Sequence, residues 1–144
     1  MKEMIKVSMD DHRVIQGSKD ETRVLYTDSL DPCIGIALFY SGPQRKVFVA
    51  HASSAYIYEE RLEEAINKFI SGKEAHIKAY LTGGIIRTID EPDWVNQIKT
   101  NRNKAVDLLS TLPPANIEKK WNRFYLGIDA YTGVVVYEDD NDID

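Results

Sequence analysis

Residues 33–40 (CIGIALFY) and 46–52 (KVFVAHA) are two almost unbroken apolar runs separated by Ser41-Gly42-Pro43-Gln44. Gly and Pro set up a turn, and short apolar runs bounded by turn residues read as strands, so this stretch is expected to form a buried hairpin. The open ends of a hairpin's strands face one another. Cys33 opens the first run and His51 all but closes the second, so both are expected on one edge.

The remaining sequence supplies elements around that hairpin. Residues 4–9 (MIKVSM) and 22–27 (TRVLYT) read as strands with residues 17–20 in the loop between them. Ser54 precedes YIYEERLEEAINKFISG, where Ile57, Leu62, Ile66, Phe69 and Ile70 recur at helical spacing and Gly72 is a natural stop. Residues 76–81 (HIKAYL) form a further strand ending at Thr82-Gly83-Gly84. Asp90 or Asp93 is a candidate cap for a second helix whose stripe is Val95, Ile98, Ala105, Leu108 and Leu109, stopped by Pro113-Pro114. Residues 117–122, 124–129 and 134–137 read as closing strands, with 131–133 (YTG) as the last turn. The order is mainly β with two inserted helices packing on a sheet, an α+β layout.

Bulk properties narrow the function. The 144 residues suit one domain, and no Pro-, Gly- or Ser-rich linker divides them, so residues 1–138 are expected to be a single domain with 139–144 as an acidic tail. A net charge of −5 with scattered Lys and Arg argues against nucleic acid as a partner, because phosphate binding requires clustered cations. No window approaches the roughly 20 apolar residues of a membrane span. The N-terminal MKEMIKVSMDDHR lacks the apolar core of a secretory signal, and one cysteine forms no internal disulfide, so a reducing cytoplasm is the expected setting.

Chemistry concentrates on few residues. Cys33, at a loop-to-strand junction, fits both a nucleophile and a small buried hydrophobe. A nucleophilic thiol needs a base and a third group to orient that base. Of three histidines, His12 is expected in a charged N-terminal loop and His76 opens a strand, which leaves His51 as the geometric choice. The paired acids Asp10-Asp11, Glu59-Glu60, Glu63-Glu64 and Asp139-Asp140 read as solvated faces. No CxxC or HExxH spacing indicates a metal, and Gly83-Gly84 reads as a turn, not a phosphate cradle.

Thr27, then Leu30-Asp31-Pro32-Cys33 running into an apolar strand, then a second strand ending in His51, resembles the CheD family of chemoreceptor glutamine deamidases. The pattern is similar to that of their structural relatives, the catalytic domain of cytotoxic necrotizing factor toxins and related bacterial deamidase effectors. The likeness extends through the helix after His51, the AYLTGG strand, the second helix and the closing hairpin, from about Thr22 to Tyr137. It implies antiparallel sandwich-like sheet layers carrying two helices, a cofactor-free monomer, and glutamine deamidation of a protein substrate. Cys33 would be the nucleophile, His51 the base and Thr27 the group that orients it. The resemblance also implies work on the cell's own chemotaxis receptors or delivery to a host cell by a dedicated secretion machine. Where the family carries Gly-Ser, this chain has Asp31-Pro32, so an oxyanion hole would need the Cys33 amide plus another donor. An amidohydrolase acting on N-terminal asparagine and an inactive binding module of the same fold remain open alternatives.

Overall fold

The computed structural model describes residues 2–138. The acidic tail, 139–144, lies outside the described residues. Nine strands and two helices follow in the order β1 (Lys2–Lys6), β2 (Asp11–Gln16), β3 (Thr22–Thr27), β4 (Ile34–Tyr40), β5 (Lys46–Ala52), α1 (Glu60–Ile70), β6 (Ile77–Gly83), α2 (Pro92–Leu108), β7 (Ile117–Trp121), β8 (Leu126–Asp129) and β9 (Val135–Val136). Strands β2-β5-β4-β6-β7 form a five-stranded sheet and β1-β3-β8-β9 a four-stranded one. The fold is α+β, with mostly antiparallel pairings and two parallel ones, β1 with β3 and β6 with β7.

The expected hairpin is the centre of this arrangement. β4 and β5 pair antiparallel from Tyr40 opposite Lys46 to Ile34 opposite Ala52. Their apolar runs are unbroken because both faces are covered. Ile34, Ile36, Leu38, Phe48, Ala50 and Ala52 face the helices, where Leu62, Ile66, Phe69 and Ile70 of α1 and Ala105 and Leu108 of α2 meet them. Ala37, Phe39, Val47 and Val49 face the four-stranded sheet and pack with Leu25, Leu126 and Ile128. The layers are helices, five-stranded sheet and four-stranded sheet.

Several local expectations change. His12 was expected in a loop and residues 11–16 carry no strand signal of their own; they form β2 because they complete the free edge of β5, with Ile15 opposite Val47. His12 therefore sits on a strand, its Nδ1 2.7 Å from the Tyr56 hydroxyl and its ring stacked on Phe48. Residues 56–58 form a separate 3-10 turn, and α1 begins only after Glu59 turns extended. Neither Asp90 nor Asp93 caps α2: Glu91 holds the N-cap position, Pro92 opens the first turn, and Asp90 accepts from the Arg87 amide at 2.7 Å.

The chain crosses between the sheets four times; the β2-to-β3 crossing lies at the end of the β4–β5 turn, and three lie at the other end of the sandwich, between β1 and β2, between β3 and β4, and between β7 and β8. Each of these three contains one non-glycine residue in the left-handed region, Asp10 (φ 59°), Ser29 (φ 57°) and Asn122 (φ 68°). These are the only such residues among those described. Strain of this kind persists only where surroundings over-determine it.

Gly83 (φ +80°) ends β6 against this region, and a Cβ there would stand 2.2 Å from the Cys33 carbonyl oxygen. Gly72 (φ +78°) follows α1 in open space. In urea unfolding, Gly72→Ala is expected to cost about 1 kcal/mol from backbone conformation alone, and Gly83→Ala about 3 kcal/mol or more because backbone must also move. Equal costs would mean that the contact at Cys33 constrains nothing.

Candidate functional site

Alternation along the strands decides which side chains enter the sandwich. On β5, Val47, Val49 and His51 point toward the four-stranded sheet; on β3, Leu25 and Thr27 point back. His51 is 4 % exposed and Thr27 fully buried, so their polar atoms must find partners inside the protein. They find each other: Thr27 Oγ1 lies 2.7 Å from His51 Nδ1, across the gap between the sheets.

The threonine hydroxyl has one proton. It donates that proton to the Val7 carbonyl at 2.7 Å. Thr27 Oγ1 can then only accept from His51, so Nδ1 carries hydrogen and Nε2 of the neutral ring carries the lone pair. Val7 belongs to the crossing between β1 and β2 and is itself fixed by donating to the Tyr26 carbonyl at 2.7 Å. Asp10, at the other end of that crossing, donates its amide to the His51 carbonyl at 2.7 Å. One crossing thus holds the histidine's backbone and sets its tautomer.

Cys33 ends the second crossing. His51 pairs directly with Gly35. Cys33, two residues earlier, projects on the same face and packs within the inter-sheet core. The Leu30 and Leu126 side chains close over Gly35 between them, 2.8 and 3.2 Å from where its Cβ would stand. Diagonal neighbours of this kind stand about 7–8 Å apart between backbones, less between side chains. Cys33 is 5 % exposed. His51 Nε2 is buried without a hydrogen-bond partner, Cys33 Sγ included. The structure joins Thr27 to His51 and sets Cys33 on their face without bonding it to the ring.

The cysteine loop is braced from outside. Gly84 N–H donates to the Cys33 carbonyl at 2.9 Å and Ile85 N–H to the Asp31 carbonyl at 2.8 Å. Both oxygens of the Asp31 carboxylate accept from Arg87 at 2.8 Å, an exposed bidentate pair that holds the carboxyl below its usual range. Arg102 of α2 donates to the Gly84 carbonyl and the Asn122 side chain, its guanidinium over the Trp121 ring. Asp31 therefore anchors the loop, while Pro32 offers no amide.

Electrostatics leave the resting groups neutral. Burial, and then the charges of Asp10 and Asp31, push the Cys33 thiol up to about 11. Burial also holds His51 below its ordinary 6.5; Asp10 and Asp28 oppose that shift and Lys6 adds to it. Both directions disfavour a standing thiolate–imidazolium pair.

Asp10 was read from sequence as part of a solvated acidic pair, yet its field reaches both groups. No local pattern could expose this, because its neighbours come from β5. Among the described residues no three His, Cys, Asp or Glu side chains are grouped to hold a metal. No helix among them is long and apolar enough to cross a membrane. A cleft of about 300 Å³ lies on the outer face of the four-stranded sheet, and two of about 480 and 520 Å³ adjoin the β4–β5 turn, at the opposite end from Cys33.

No family model matches the chain. No curated protein matches it either. Among solved structures it is similar to Bacillus licheniformis hypothetical protein YfiH, at 16 % identity and a TM-score of 0.45 over 69 % of this chain. The chain spans about half of that protein, 49 % of its length.

Two outcomes follow from the threonine–histidine link. Thr27→Val leaves a buried N–H and a buried carbonyl unpaired, which should cost about 2 kcal/mol or more and release the ring to the other tautomer, read from its ¹⁵N shifts. An unchanged tautomer would remove Thr27 as its determinant. Because the folded pKa of His51 is depressed below 6.5, the unfolded chain takes up a proton that the folded protein resists. Stability is therefore retained above that pH and lost below it, and the urea midpoint should fall more steeply from about pH 7 to about pH 5 than in His51→Asn.

Proposed function

We propose that the chain is a cysteine-dependent amidohydrolase that converts a protein glutamine side chain to glutamate with release of ammonia. The observation that supports it is the hydrogen-bond chain from the Val7 carbonyl through Thr27 to His51 Nδ1, which leaves a basic Nε2 on the sheet face that carries the cysteine. A histidine oriented by a third group beside a thiol is what cysteine-mediated amide hydrolysis requires. The resemblance to the CheD-like deamidases rests on the same residues.

The reaction would begin as Cys33 Sγ attacks the carboxamide carbon while its proton passes to His51 Nε2. Proton transfer accompanying attack suits a resting site in which both groups are neutral. The Cys33 amide holds the oxyanion, since Pro32 has none to offer. His51 returns its proton to the departing nitrogen, the C–N bond breaks, and ammonia leaves a thioester. Water, deprotonated by His51, then hydrolyses the thioester to glutamate and free thiol. The sequence needs no cofactor.

The second reading is an inactive module that keeps the fold to bind a partner. Its support is the same thiol, buried and pushed toward 11, as a purely structural cysteine would be. Slow alkylation at neutral pH fits both readings, so turnover separates them. Ammonia release from glutamine-bearing protein substrates should fall at least about 10³-fold in Cys33→Ala and His51→Ala, with circular dichroism unchanged. Full activity in both variants would end the cysteine mechanism. No release by the unaltered protein from any glutamine substrate would leave the binding module.

A further inference from the structure

The thiol and the imidazole are shut in. Cys33 and His51 are both buried, and the clefts described above lie elsewhere. Yet His51 Nε2 has no partner, and a buried acceptor left unpaired costs stability unless something that binds supplies a donor. One side chain fills the space beside the pair. Leu30 is fully buried, and its Cδ1 lies over Gly35, the residue that pairs with His51 and stands two positions from Cys33.

Leu30 does not belong to a strand. It is the tip of a three-residue turn, closed by the Asp31 amide donating to the Ser29 carbonyl at 3.0 Å. Ser29 is left-handed and exposed, and Asp28, Asp31 and Pro32 are half-buried, so Leu30 is a lone buried side chain among wetted neighbours. Few bonds hold the turn down. Asp28 at its start pairs with Lys6 at 3.1 Å. The Leu30 amide donates to the carbonyl of Phe124, an exposed residue, at 3.0 Å, and the Asp31 carbonyl accepts from the Ile85 amide. The bidentate Asp31–Arg87 pair is the tie closest to Leu30 that stands at the surface, with both side chains nearly half exposed. A segment held in this way opens at lower cost than the ladders beside it.

We propose that residues 28–32 are a gate: the turn lifts, Leu30 leaves its seat over Gly35, and Cys33 and His51 become reachable, with the Asp31–Arg87 pair as the clasp that holds the gate shut. Cys33 itself stays in place, because its carbonyl accepts from the Gly84 amide at 2.9 Å and β4 begins at the next residue. The purpose of the gate rests on the amide-hydrolase reading, in which a substrate carboxamide takes the space that the leucine vacates. The opening does not rest on it, since access to the thiol defines it.

The test is the rate at which iodoacetamide, a small neutral reagent, alkylates Cys33, the one thiol of the chain. Below the unfolding transition, adding about 1 M urea should change the rate in the unaltered protein by less than about twofold, because a local opening exposes little surface; access through global unfolding would raise it about tenfold or more. Arg87→Ala should speed alkylation about threefold or more. That variant also leaves Asp31 without its counter-charge, and a bare carboxylate opposes ionisation of the thiol, so a faster reaction reports access. Leu30→Ala should speed it about tenfold or more, against less than about threefold for Leu62→Ala, an equally buried leucine on the helix side of the core. If Leu30→Ala does not fold, the urea profile and Arg87→Ala still decide. A rate that climbs with urea in step with global unfolding, or no acceleration in Arg87→Ala, overturns the inference. Ammonia release is scored separately: gated alkylation without ammonia from any glutamine substrate keeps the gate and discards the hydrolase.

Discussion

Strands β4 and β5 have no face to give to water. Every position from Ile34 to Phe39 and from Val47 to Ala52 is buried, so the hairpin is stable only with a layer on each side. The helices provide one layer and the four-stranded sheet the other. That requirement also dictates how the chain runs. To build a second sheet against the first, it must cross between them, and three crossings gather at the open end of the hairpin. The backbone groups there are outside regular ladders and available to hold side chains in fixed positions.

The site follows from the same burial. An imidazole on the inner face of β5 has no water to satisfy it, and the first polar group opposite is Thr27 on β3. Because the threonine proton is already committed to Val7, the interaction has a direction, and that direction sets the tautomer of the neutral ring. The left-handed conformations of Asp10, Ser29 and Asn122 fall in the three crossings and nowhere else among the described non-glycine residues. Tight crossings explain part of that strain. Their convergence on Cys33, His51 and Thr27 is what the hairpin alone did not demand.

Local patterns made the hairpin, β3, both helices and the closing strands legible, because each has its signal in its own residues. The limits were equally physical. β2 reads DHRVIQ and buries only Ile15; it is a strand because β5 has an edge to fill, and that edge is far away in sequence. The two parallel pairings likewise join strands that no hairpin connects. Asp10 lies beside an exposed acid, and only the bond to the His51 carbonyl reveals its place. Asp31-Pro32 stood out as a departure from the deamidase pattern, yet Asp31 serves as the anchor for Arg87, a partner 56 residues on. The pairing of Thr27 with His51 came from resemblance, since spacing alone cannot state that two sheets face each other.

The neutral resting state bears on what kind of catalyst such a site can be. A thiol pushed to about 11 on the same sheet face as an imidazole held below 6.5 stores no nucleophile in advance, unlike an ion-paired cysteine. In the proposed reaction its reactivity has to be created when substrate arrives, by a proton moved in step with bond formation. Asp31 is paired with Arg87, and of the two carboxylates whose charges raise the thiol it is Asp10 that contributes more. A buried, braced and unactivated thiol would stay inert toward stray electrophiles.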